Sequence, residues 1–156
     1  MRRRILLTAS ASLLTAACGG KPISYLVTTP QPSETVYGCA LRKMNELGYT
    51  ITNTSREAAF VAGTKQTSGT ARKIFTGDEY HDQLTVSVFD DTKTGQRTMR
   101  ATTGRVNQKS NLFGTSSSSI DPSDTGKQDA NDLLLACGEG AVSKQPTGNQ
   151  FEAPLR

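Results

Sequence analysis

The chain has 156 residues, 35% of them hydrophobic and none of them tryptophan, which suits one small domain with a modest core. Its formal charge of +4 arises from 18 basic and 14 acidic residues, and three of the basic ones are the consecutive arginines Arg2, Arg3 and Arg4. The rest is close to balance, so composition excludes a general nucleic-acid footprint and a general attraction to anionic membranes.

Met1 to Ala17 has the layout of an export signal: the charged start Met1-Arg2-Arg3-Arg4, then an uncharged, largely apolar run, then small residues. From Ile5 to Ala17 the uncharged stretch is about 13 residues, against roughly 20 needed to cross a bilayer core as a helix, so a transmembrane helix is disfavoured.

The segment Leu14-Thr15-Ala16-Ala17-Cys18 resembles the lipobox of bacterial lipoproteins, with Thr15 standing where leucine is commonest. The resemblance implies a diacylglyceryl thioether on the Cys18 sulfur, cleavage after Ala17 and acylation, such as palmitoylation, of the new amino group. It also implies an outer-membrane address facing the periplasm, because Gly19 stands where aspartate would retain a lipoprotein in the inner membrane. Each buried methylene contributes about 0.8 kcal/mol, so two or three acyl chains anchor far more firmly than one.

Setting Cys18 aside leaves an even pair, Cys39 and Cys137, in a chain bound for a disulfide-permissive compartment. The pairing predicts a disulfide that staples a small core.

Gly19 to Gln31 reads as a spacer, with Ile23-Ser24-Tyr25-Leu26-Val27 able to add an edge strand. A helix is predicted from Ser33, its expected N-cap, with Val36, Tyr37, Ala40, Leu41, Met44 and Leu47 forming one apolar face and Gly48 stopping it. Tyr49 to Asn53 and Ala59 to Gln66 read as a hairpin of two strands around a polar turn. Thr67 to Asp82 reads as a long loop, open to an irregular strand extension. Gln83 to Phe89 alternates cleanly and predicts a half-buried strand, followed by a turn over Asp90 to Gly95 and a threonine-rich strand from Arg97 to Asn107. Gln108 to Lys127, with its run Ser116 to Ser119, shows no periodicity and reads as a loop. Ser123 or Asp124 is expected to cap a last helix running to about Cys137.

These elements predict an α+β fold: a four-stranded antiparallel sheet with two helices packed on one face, in the order α-β-β-β-β-α, the helices joined by a disulfide. The expected organisation is a cleaved signal over 1–17, a lipidated N-terminus and spacer over 18–32, one domain over 33–140 and a flexible tail over 141–156. The element order and the entry Gly48-Tyr49-Thr50-Ile51 into the sheet resemble the helix-grip domains of the barrel-assembly machinery. That likeness concerns architecture and implies no functional residue.

No catalytic constellation is legible. The only histidine, His81, stands among carboxylates in Gly77-Asp78-Glu79-Tyr80-His81-Asp82 and is expected in an exposed polar loop rather than at a metal, since a tight site needs three or four positioned ligands. No glycine-flanked nucleophile elbow and no phosphate loop occurs. Arg97, Arg100, Arg105 and Lys109 cluster on or after the last strand, with Arg72 and Lys73 in the preceding loop, and form an anion-contact patch if they share a face.

The expectation is therefore a non-catalytic structural or protein-interaction lipoprotein, its partners being membrane lipid through acylated Cys18 and an envelope protein, with no cofactor and no nucleic acid. The alternatives are a ligand- or ion-binding module built on the 67–82 loop and a hydrolytic or metal-dependent envelope enzyme.

Overall fold

The computed structural model describes residues 20–68, 76–90, 95–111 and 114–145. The signal segment, Cys18, Arg72, Lys73 and the chain beyond Gln145 lie outside the described residues. The elements are β1 (Ile23–Thr29), α1 (Ser33–Glu46), β2 (Thr50–Ser55), β3 (Phe60–Gln66), β4 (Asp78–Asp90), β5 (Arg97–Asn111), β6 (Gly114–Ile120), α2 (Asp124–Cys137) and β7 (Ser143–Gln145).

All seven strands pair antiparallel, in the order β2-β3-β4-β5-β1-β7, with β6 also on β5. The 15-residue β5 organises this sheet. On one side it pairs with β4 over nearly its whole length. Its other side is shared end to end, Arg97 to Thr103 with β1 and Arg105 to Asn111 with β6.

The α+β class, the two helices and the antiparallel sheet agree with expectation, whereas four strands in the order α-β-β-β-β-α do not. Two strands, β6 and β7, were not foreseen, and β1 stood only as an optional edge strand within a spacer. In β1, Tyr25, Val27 and Thr29 are buried in alternation, yet Pro22 and Pro30, which read as spacer, merely bracket the strand. It is interior to the sheet, between β5 and β7, not at an edge. β6 falls in the expected loop over 108–127, because a run of serines held by backbone ladders alone shows no apolar period. β7 is three residues long, too short to read, and it places part of the expected tail in the sheet. Likewise 18–32 is not simply a spacer.

In α1, Val36, Ala40 and Met44 recur every fourth residue and are fully buried. Ser33 is the first helical residue rather than the N-cap; Pro32 occupies that position, its carbonyl accepting from the N–H groups of Thr35 and Val36. In α2 the expected cap holds: Ser123 Oγ accepts from the Gly126 N–H at 2.9 Å. Its buried stripe includes Ala130, Leu133, Leu134 and Cys137.

Both stripes meet one face of the sheet, where Val27, Val61, Leu84, Val86, Met99 and Ala101 form the floor of the core. The Cys39–Cys137 disulfide joins the helices, spanning 98 residues of sequence with the Cα atoms 5.7 Å apart. Among the described residues, no helix is long and apolar enough to cross a membrane.

Candidate functional site

Two polar regions emerge, one on each face of the sheet. On the helix-covered face the alternation that buries Leu84 and Val86 continues to Asp82, whose carboxylate is fully buried. Ser123 donates its hydroxyl to Asp82 Oδ2, and Arg105 Nε lies 3.3 Å from Oδ1. Arg105 in turn donates to Thr67 Oγ1 at 3.1 Å and lies over the Tyr80 ring, 4.7 Å from its centroid. The carboxylate thus sits at the N-terminus of α2, where the helix dipole favours negative charge. Gly126 admits this close seating: a Cβ there would stand 2.9 Å from Thr103 Oγ1 and 3.4 Å from Asp82 Oδ2.

A second buried pair lies beside it. Lys65 Nζ donates to Asp129 Oδ2 at 2.8 Å and stands 5.3 Å from the Tyr49 ring centroid. Burial, and then the negative charge of Asp129 and Asp82, push the Tyr49 hydroxyl well above the ordinary tyrosine range. Two carboxylates facing two cations are charge-balanced, and each is tied to a different element. This arrangement can position α2 on the sheet.

The opposite face carries neither α1 nor α2 and is open in that sense. Its rows run across the sheet as Phe60-Ser87-Arg100-Leu26 and Ala62-Thr85-Thr102-Ser24. Phe89, 47% exposed, lies under the Arg100 guanidinium, whose carbon is 4.9 Å from the ring centroid. Ser24 and Thr102 share a hydroxyl hydrogen bond of 2.8 Å.

The expected anion-contact patch is divided between these faces. Arg97, Arg105 and Lys109 occupy alternate positions on the helix side of β5, and Arg100 points to the open side. Arg97 Nε pairs with Asp90 at 2.7 Å, Arg105 with Asp82, and Lys109 with Asp78 at 3.5 Å, so each helix-side cation has its own carboxylate.

His81 is not in a loop. It lies within β4, opposite Gln66 and Val106, on the open face, and its Nε2 is 3.6 Å from Glu79 Oε1. Asp78 and Asp82 are in the same strand, so the described part of the expected 67–82 loop is largely sheet; residues 69–75 lie outside the described residues. Among the described residues, no three His, Cys, Asp or Glu side chains converge as metal ligands. Of two depressions, one at Gly104 has Arg105 as its only charged lining residue and one at Thr28 to Pro30 has only Glu139.

Sequence reasoning missed the Asp82 and Asp129 pairs. The signal was present: Asp82 is in phase with Leu84 and Val86, and Asp129 stands four residues before Leu133 on the buried stripe of α2. No protein-family model matches the chain, and no curated protein matches it.

Proposed function

We propose that this chain is an envelope lipoprotein, tethered through acylated Cys18 to the outer membrane and facing the periplasm, whose domain has a non-catalytic, protein-interaction role. The observation that supports an interaction role is the open sheet face. It carries an arginine stacked on an exposed phenylalanine, with Phe60 and Leu26 in the row that Arg100 shares. Arginine and aromatic side chains supply much of the energy of protein interfaces, and a surround of serine and threonine hydroxyls provides hydrogen-bonding capacity at the rim. The helix side, by contrast, has its carboxylates and cations engaged with one another.

The test is in-cell photo-crosslinking from two positions. A crosslinking side chain at Thr85, on the open face, should yield a discrete protein adduct that Arg100→Ala and Phe89→Ser abolish. One at Leu135, which is 62% exposed on α2, should yield none. Adducts from Leu135 alone, or from neither position, would overturn the assignment of the open face.

A further inference from the structure

Edge strands expose unpaired backbone groups, and folded proteins guard them with short length, irregularity, charge or a covering element. The edge strands among the described residues differ in this respect. β2 is broken by a register irregularity between Ile51 and Asn53. β7 has only three residues. β6 is seven residues long, regular, free of charge and proline, and exposed throughout except at half-buried Ile120. Something is therefore expected to cover it.

The ladder with β5 indicates which groups need a partner. The Ser110 N–H donates to the Gly77 carbonyl, away from β6, which makes Ser110–Thr115, Gln108–Ser117 and Val106–Ser119 the pairs that do not bond each other, so the backbone groups of Thr115, Ser117 and Ser119 point outward. The Ser119 carbonyl confirms the direction, since it accepts from the Gly20 N–H at 2.9 Å. Gly20 thus reaches the fold at the outer edge of β6. It packs so tightly there that a Cβ would stand 1.9 Å from the Ile120 carbonyl carbon.

Cys18 is two residues before Gly20. Two extended residues span at most about 7 Å. We infer that the outer edge of β6 is the membrane-apposed edge of the domain, covered by the lipid headgroup layer; this rests on the reading of Cys18 as the acylated anchor. Phosphodiester and ester oxygens of headgroups accept from the outward N–H groups of Thr115 and Ser117, and water in that layer satisfies the outward carbonyls. The uncharged serine strand makes the apposition depend on the tether rather than on anionic lipid. An edge that would otherwise pair with other chains is sheltered by the bilayer itself.

The test uses the mature, acylated protein in vesicles of phosphatidylethanolamine and phosphatidylglycerol containing a nickel-chelating lipid, with nitroxide labels at Ser117→Cys or Thr54→Cys. Thr54 lies on β2, four strand spacings or roughly 20 Å across the sheet. Headgroup nickel should relax the Ser117 label several-fold more than the Thr54 label, and a long glycine-serine linker inserted between Gly19 and Gly20 should bring Ser117 down to the Thr54 value. Equal relaxation at both positions, or a Ser117 label shielded from nickel and crosslinked to another polypeptide strand, overturns the inference. A mass spectrum of the same sample showing Cys18 without lipid overturns the anchor reading instead, so the two failures are distinguishable.

Discussion

Along β4, residues of one parity read Asp82, Leu84 and Val86, all buried beneath the helices, while their neighbours read His81, Gln83, Thr85, Ser87 and Phe89, half-buried or exposed. The same strand therefore serves two different demands one residue apart. Under the helices, apolar burial along β4 gives way at Asp82, whose carboxylate meets Arg105 and Ser123. On the open face, packing imposes little, and a stacked arginine and phenylalanine stand where no helix requires them. The covered face thus bears the packing, and the proposed interaction falls on the opposite face, so single substitutions can separate the two.

The largest effect is expected at the polar end of the covered face. Asp82→Ala leaves Arg105 and Ser123 without the buried carboxylate they share and should cost about 3–5 kcal/mol in a denaturant titration. A cost below about 1 kcal/mol would show that the pair is not desolvated as the geometry indicates. Next comes the paired comparison that defines the two faces. Leu84→Ala should cost about 2–5 kcal/mol through the cavity it leaves, whereas adjacent Thr85→Ala should change stability by no more than about 0.5 kcal/mol. Similar costs at both positions would erase the distinction.

A smaller effect, confined to alkaline pH, is expected at Tyr49. Its folded pKa is raised above the ordinary value of 10.0, so the unfolded chain ionises first. The contribution is fully present below about pH 10 and is lost as pH rises above it, because the unfolded state then holds fewer protons. Phenolate absorbance of the folded protein should show one tyrosine resisting ionisation, and Tyr49→Phe should remove that part of the alkaline loss of stability. A Tyr49 that ionises near the ordinary value of 10.0 would contradict its burial against Asp129.

Much of this fold was legible because it is written in apolar spacing. Val36, Ala40 and Met44 marked α1, Leu84, Val86 and Val88 marked β4, and the cysteine count marked the Cys39–Cys137 bridge. What escaped had no such spacing. The serines of β6 are held by backbone bonds to β5, which leave no side-chain trace, and β7 is shorter than any period. The prolines around β1 signalled an irregular segment, although they stand just outside a strand whose interior alternates. The candidate site was less legible than the fold. Four basic residues close in sequence suggested a patch, but strand alternation sends Arg100 to the opposite face from Arg97, Arg105 and Lys109, and carboxylates on β4 pair with the latter three. His81 among acidic neighbours suggested a loop, because extension of β4 back to Asp78 depends on its pairing with β3 and β5, not on its own composition.

The proposed function depends most heavily on acylation of Cys18. Intact-mass and peptide mass spectrometry of the protein extracted from cell membranes under non-reducing conditions tests it directly. The predicted result is a mature chain beginning at Cys18, carrying a diacylglyceryl group on its sulfur, with Cys39 and Cys137 linked to each other. A mature protein that begins elsewhere, or one in which Cys18 bears a free thiol, would contradict the account.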